Sequence, residues 1–254
     1  HCQVFYYNSS LEITPSMAYG HSTVLDQLLT EFTDVHIISG HTHNNTTMKV
    51  REGLMEHNTG GSCATWWWTG YYSNGHICKD GAPGGMGVYE FRDTDLEWYY
   101  KGYGEARDFQ LRTYDMNNVK TFFANNSVIR NMIRYYPDRN DYVNVGNNVV
   151  YINVWGWDPE WKVSVKENGV ELNPTRVYMK DPLHTYAYDA TRVYKNSNNT
   201  YTEVLTSSNN YHLFAGNASS ATSTLTIEVT DRFDNKYSET MSRPKEFAAQ
   251  IENL

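Results

Sequence analysis

No stretch of this chain approaches 18 consecutive apolar residues, so no segment reads as a membrane-crossing helix. Basic residues are scarce: 21 Lys and Arg stand against 29 Asp and Glu, a net charge of −8. With no basic stripe, that balance argues against a nucleic-acid partner bound through its phosphates. Cysteines are few as well. Cys2, Cys63 and Cys78 are an odd set without the close spacing of a structural zinc site. Cys63 and Cys78 could bridge a loop in an oxidising compartment, or all three could remain thiols. His1 is preceded by no initiator Met and no charged-then-apolar leader, which gives the expectation of a processed or excised piece.

Aromatic residues are abundant. With 21 Tyr and 7 Trp, 15% of the chain is aromatic, which favours β-rich structure and the tyrosine-lined surfaces of periplasmic or extracellular proteins. A length of 254 residues lies between one large domain and two small ones. Val4 to Tyr7 reads as a short strand, and a helix is predicted from Ser22 or Thr23. In it Val24, Leu25, Leu28, Leu29 and Phe32 recur at three- and four-residue steps and make one apolar face. Val35, Ile37 and Ile38 then form a buried strand that runs into Ser39-Gly40-His41-Thr42-His43.

Two imidazoles one residue apart, just past a strand end and beside a glycine, can point at one small volume. Neutral imidazole is the commonest side-chain metal ligand. Taken alone, His-x-His also fits two surface histidines in a turn. From Thr47 to Asp115 the pattern changes to strands and turns, with hairpins around Arg51-Glu52-Gly53 and Asp93-Thr94-Asp95. Past residue 116 only strand periodicity is read, with a hairpin turn at Asn168-Gly169. The closing run from Leu225 to Thr240 has the cadence of an immunoglobulin-like sandwich. The predicted division is 1–110 and 111–254.

Further segments follow the His-x-His loop: Asn44 to Thr47, Gly61-Ser62-Cys63-Ala64-Thr65-Trp66-Trp67-Trp68-Thr69-Gly70, and Lys79-Asp80-Gly81-Ala82-Pro83. With them the chain resembles the C-terminal portion of a bacterial calcineurin-like metallophosphoesterase carrying an appended C-terminal β domain. The resemblance implies a mixed α/β fold, a partial phosphoesterase sheet that is mostly β, followed by an all-β immunoglobulin-like sandwich. It also implies phosphate ester hydrolysis at a site of two divalent cations such as Mn, Fe or Zn, which activate a water and clamp the phosphoryl oxygens. Carried over, His41 binds one metal and His43 the other, with His1 completing the second metal's ligands. His57, Asp80 and Trp67 are candidate substrate contacts. The tryptophans could instead pack between domains, and Asp80 could simply make a turn.

The family's Asp-x-His, Gly-Asp-x-x-Asp and Gly-Asn-His elements are not found in the right place, so no catalytic residue is assigned. Asp34-Val35-His36 matches the first as a string but enters a strand instead of leaving one. Asp34 therefore reads as a turn residue and His36 as a sheet-face histidine. Two cations about 3.5–4 Å apart need anionic oxygens between them. Three imidazoles alone leave that site incomplete or empty, and the polypeptide by itself is expected to be inactive. The sandwich is either a binding module, possibly for glycans, or a spacer. An uncovered sheet edge predicts self-association.

Overall fold

The computed structural model describes residues 1–16, 22–66, 76–195 and 205–249. Strands β1 (Phe5–Tyr7) and β2 (Ile13–Pro15) form a small antiparallel pair, and helix α1 covers Ser22–Leu29. Next come β3 (Val35–Ser39), β4 (Thr46–Arg51) and β5 (Leu54–Asn58), which make a sheet in the order β3-β5-β4. The expected β4–β5 hairpin is present, and β5 also runs parallel to β3. Gly53 closes the hairpin at φ +70°, and a Cβ there would stand 2.3 Å from the Thr33 carbonyl oxygen, so glycine is required.

All five residues of β5 are buried because both faces of this sheet are covered. Alternation sends Leu54 and Glu56 toward the N-terminal segment, where Val4, Phe5, Tyr7 and Met48 pack. It sends His57 toward a second hairpin, β6 (Gly85–Arg92) and β7 (Asp95–Gly102), through Tyr89 and Trp98. The predicted apolar face of α1 is left largely open. Val24, Leu28 and nearby Phe32 are 51%, 61% and 60% exposed, and only Leu29 joins the adjoining cluster.

Residues 111–241 build two four-stranded antiparallel sheets. One is made of β8 (Leu111–Asp115), β9 (Val149–Val154), β12 (Thr175–Lys180) and β13 (Asn209–Asn217), in the order β12-β13-β9-β8. The other is made of β10 (Lys162–Glu167), β11 (Val170–Glu171), β14 (Leu225–Thr230) and β15 (Lys236–Met241), in the order β11-β10-β14-β15. They pack face to face through Val150, Ile152, Val154 and Phe214 against Val165, Leu225, Ile227 and Val229. Asn168 and Gly169, at φ +51° and +80°, make the expected β10–β11 turn.

The expectation of strands alone past residue 116 is corrected. Helices α2 (Met116–Asn125) and α3 (Ser127–Tyr135) cover the outer face of the first sheet. A stretch formed by α4 (Pro182–His184), a π-helical turn (Thr185–Ala190) and α5 (Thr191–Lys195) covers it too. Their starts are written in the sequence. The Asp115 side chain accepts the Asn117 amide, and that of Asn126 accepts those of Val128 and Ile129. Val119 and Phe123, then Val128, Ile129 and Met132, are spaced for one helical face, and they bury against Tyr114, Tyr151 and Leu213 of the sheet. The arrangement is sheet, sheet and helix in layers, a sandwich that is not all β.

Candidate functional site

The loop after β3 brings the three metal candidates into one neighbourhood. The Gly40 amide donates to the His1 carbonyl at 2.7 Å. The His1 and His41 rings meet edge to face with centroids 5.2 Å apart. His41 and His43 both hold left-handed backbone, at φ +83° and +59°, which turns the chain sharply twice within three residues. The Asn58 side chain pins the turn by donating to Thr42 Oγ1 and to the Asn44 carbonyl.

His43 is oriented by its neighbours. Its Nδ1 lies 2.6 Å from the Ala64 carbonyl oxygen. A carbonyl only accepts, so Nδ1 carries the proton and the lone pair is left on Nε2. Burial lowers the His43 pKa, against the Ala64 bond, and Lys79 and His41 lower it further, so the ring is neutral at pH 7. The Cys63 thiol rests 3.7 Å from His43 Nδ1. Cys63 and Cys78 are both free thiols, and Cys78 is buried against the Gly61 and Pro83 carbonyls.

Glu56 was not singled out from the sequence. Fully buried, its carboxylate accepts the amides of Val4 (2.9 Å) and Phe5 (2.7 Å) and the hydroxyl of Ser39 (2.8 Å). It thereby fastens the segment carrying His1 to the end of the strand that leads to His41. Burial raises its pKa against these hydrogen bonds. The signal available in sequence was a carboxylate two residues after Leu54, on the same inward face of the strand.

His57 does not face the His41–His43 loop. Its Nε2 pairs with His36 Nδ1 at 2.8 Å, the two rings stack, and Trp98 and Tyr89 close over it. Burial, then His36 and Arg232, lower its pKa to about 3. The structure thus places this candidate substrate contact as a neutral, buried imidazole turned to His36. His36 is a sheet-face residue, as expected, and its Nε2 lies 3.3 Å from Asp34.

Asp80 is likewise enclosed. Its carboxylate takes the amides of Asn45 and Ala82 and stands 3.1 Å from His212 Nε2. Its carbonyl accepts from Asn153 and Asn210 of the sandwich. Burial raises the Asp80 pKa, but His212 and the two amides outweigh it, and the net shift is downward. Among the described residues, the contacts of this candidate carboxylate are all with buried groups of the protein itself. Trp67 lies outside the described residues. Its neighbour Trp66 is half-exposed, with its ring 5.7 Å from that of His43.

The family model described as the C terminal of Calcineurin-like phosphoesterase matches residues 56–237, well over half of the chain. The chain belongs to that family. No curated protein and no solved structure matches it. The match begins after His1, His41 and His43, and it takes in Asp80 together with the Asn153, Asn210 and His212 partners that tie it to the sandwich.

Calcineurin-like phosphoesterases are in general metal-dependent. Among the described residues the donors near the loop are imidazoles without carboxylates, and Glu56 is committed to Val4, Phe5 and Ser39. Among the described residues, no three His, Cys, Asp or Glu side chains form a group able to hold a metal ion. The residues present do not fit a two-metal centre. No helix among the described residues is long and apolar enough to cross a membrane.

Proposed function

We propose that residues 1–254 carry the histidine part of a metal-dependent phosphoesterase site for phosphate esters, without the carboxylates that complete it. His41 serves one metal, and His43, with His1, the other. Family membership supports the phosphoesterase reading. The observation that carries the ligand assignment is the His43 tautomer: Ala64 holds the Nδ1 proton, so the lone pair is on Nε2, 4.0 Å from the Cys63 thiol, in the loop where the His1 and His41 rings meet. Divalent cations would activate water and neutralise phosphoryl charge in the complete site. Imidazoles alone do not bridge two cations, so this polypeptide by itself has no turnover.

The test has two arms. Calorimetry with zinc or nickel is expected to show weak mononuclear binding that a His41→Ala/His43→Ala variant loses. A chromogenic phosphodiester is expected to remain uncleaved, and turnover abolished by His41→Ala would overturn the inactivity. The sandwich enters this reading as a scaffold and not as a glycan reader. None of the exposed large aromatic residues among the described ones, Phe32, Trp66, Phe91, Tyr103, Tyr135 and Tyr194, lies on a sandwich strand.

A further inference from the structure

Lys79 opens the segment whose next residue, Asp80, is locked inward, and its own side chain goes the other way. The Lys79 amide donates to the His43 carbonyl at 3.2 Å, which fixes the residue to the histidine loop. Its ammonium lies 4.0 Å from the centroid of a Trp66 ring, and that indole is 5.7 Å from the His43 imidazole. Lys49, Lys180, Lys236 and Lys245 each meet a carboxylate. Among the described residues Lys79 meets none.

Among the described residues this half-buried ammonium meets only an aromatic face, so it has lost water without gaining a counter-charge from them. The adjacent Asp80 does not supply one, since Asn45, Ala82 and His212 take up its carboxylate on the buried side. What remains, among the described residues, is a cation fixed on the Trp66 ring and tied through its backbone to the histidine loop. A phosphoryl group has the negative charge and the acceptor oxygens for such a place.

We propose that Lys79, steadied by Trp66, is a phosphate-binding residue that seats the phosphoryl group of an ester substrate against the His43 side of the loop. The assignment rests on the phosphoesterase reading and adds a substrate contact to it. Trp66 sets the direction of the ammonium, and the ammonium supplies the charge.

The test is titration of the metal-free chain with inorganic phosphate at constant ionic strength, followed by 31P line broadening. Lys79→Met is expected to weaken binding at least tenfold, and Lys79→Arg to stay within about threefold, because charge and donors are kept. Trp66→Leu is expected to weaken binding severalfold. Thermal unfolding of Lys79→Met should match the parent, since only a ring contact is lost. Phosphate binding that survives Lys79→Met unchanged would overturn the proposal, as would a parent chain that binds no phosphate. Zinc or nickel binding lost in His41→Ala/His43→Ala tests the underlying reading separately. Metal binding without a Lys79 effect sinks this proposal alone, and a Lys79 effect without metal binding sinks only the ligand assignment.

Discussion

His212 Nε2 and Asp80 Oδ2 lie 3.1 Å apart, and the same carboxylate oxygen accepts the backbone amide of Asn45. One buried atom thus joins a sandwich strand to the loop that carries His41 and His43. The Ser208 hydroxyl, also on the sandwich side, accepts from the Asn44 side chain at 3.2 Å. Asp80→Asn would place an amide N–H against donors that need an acceptor. The expected loss is about 2–4 kcal/mol of stability, measured by urea unfolding, because a buried donor is left unsatisfied. Hydrogen exchange at the Asn45 amide should quicken in the same variant.

Glu56→Gln keeps one acceptor where three donors converge. A cost of about 1–3 kcal/mol is expected. The diagnostic readout is local: the Val4 and Phe5 amides should exchange faster than those of the sandwich, as the segment bearing His1 comes loose.

Acid should unfold the protein partly through His57. Its pKa is lowered from 6.5 to about 3, so between those values the unfolded chain binds a proton that the fold excludes. Stability contributed by this group is therefore complete above about pH 6.5 and is lost as pH falls toward 3. His184, lowered to about 4, acts with the same sign. Glu56 and Asp181, raised by burial, act with the opposite sign, losing stability as pH rises through their raised values. Comparison with His57→Gln isolates this imidazole: the parent should fall by up to about 1.4 kcal/mol per pH unit more than the variant across that window. Parallel curves would contradict the assignment.

The histidine loop, both early hairpins and the Asn168-Gly169 turn were legible because each rests on local chemistry: a glycine, a strand end, a turn dipeptide. The helices after residue 116 were not read, although Asp115 and Asn126 are ordinary N-caps, because apolar pairs such as Phe122-Phe123 mask a helical period. The surroundings of Asp80 and His57 were not legible, for a different reason. Their partners, His212 and His36, lie 132 and 21 residues away, and sequence spacing does not show which side of a loop or strand those partners occupy.

The open face of α1 should make the chain self-associate. Val24, Leu28 and Phe32 are exposed there, and Ile38 of β3 is separately 54% exposed at the edge of its sheet. Leu28→Glu with Phe32→Glu is expected to lower the apparent mass in light scattering at high concentration, without a lower unfolding temperature. A parent chain that scatters as a monodisperse monomer would count against it.

The left-handed backbone of His41 and His43 sets two demands on the same residues. At φ +83° and +59° the chain itself would prefer glycine, by about 1 kcal/mol at each position, whereas the proposed ligation needs an imidazole there. Any substitution that relaxes the turn gives up an imidazole that the proposed ligation needs, so on that proposal this loop cannot be made more stable and more capable by the same change.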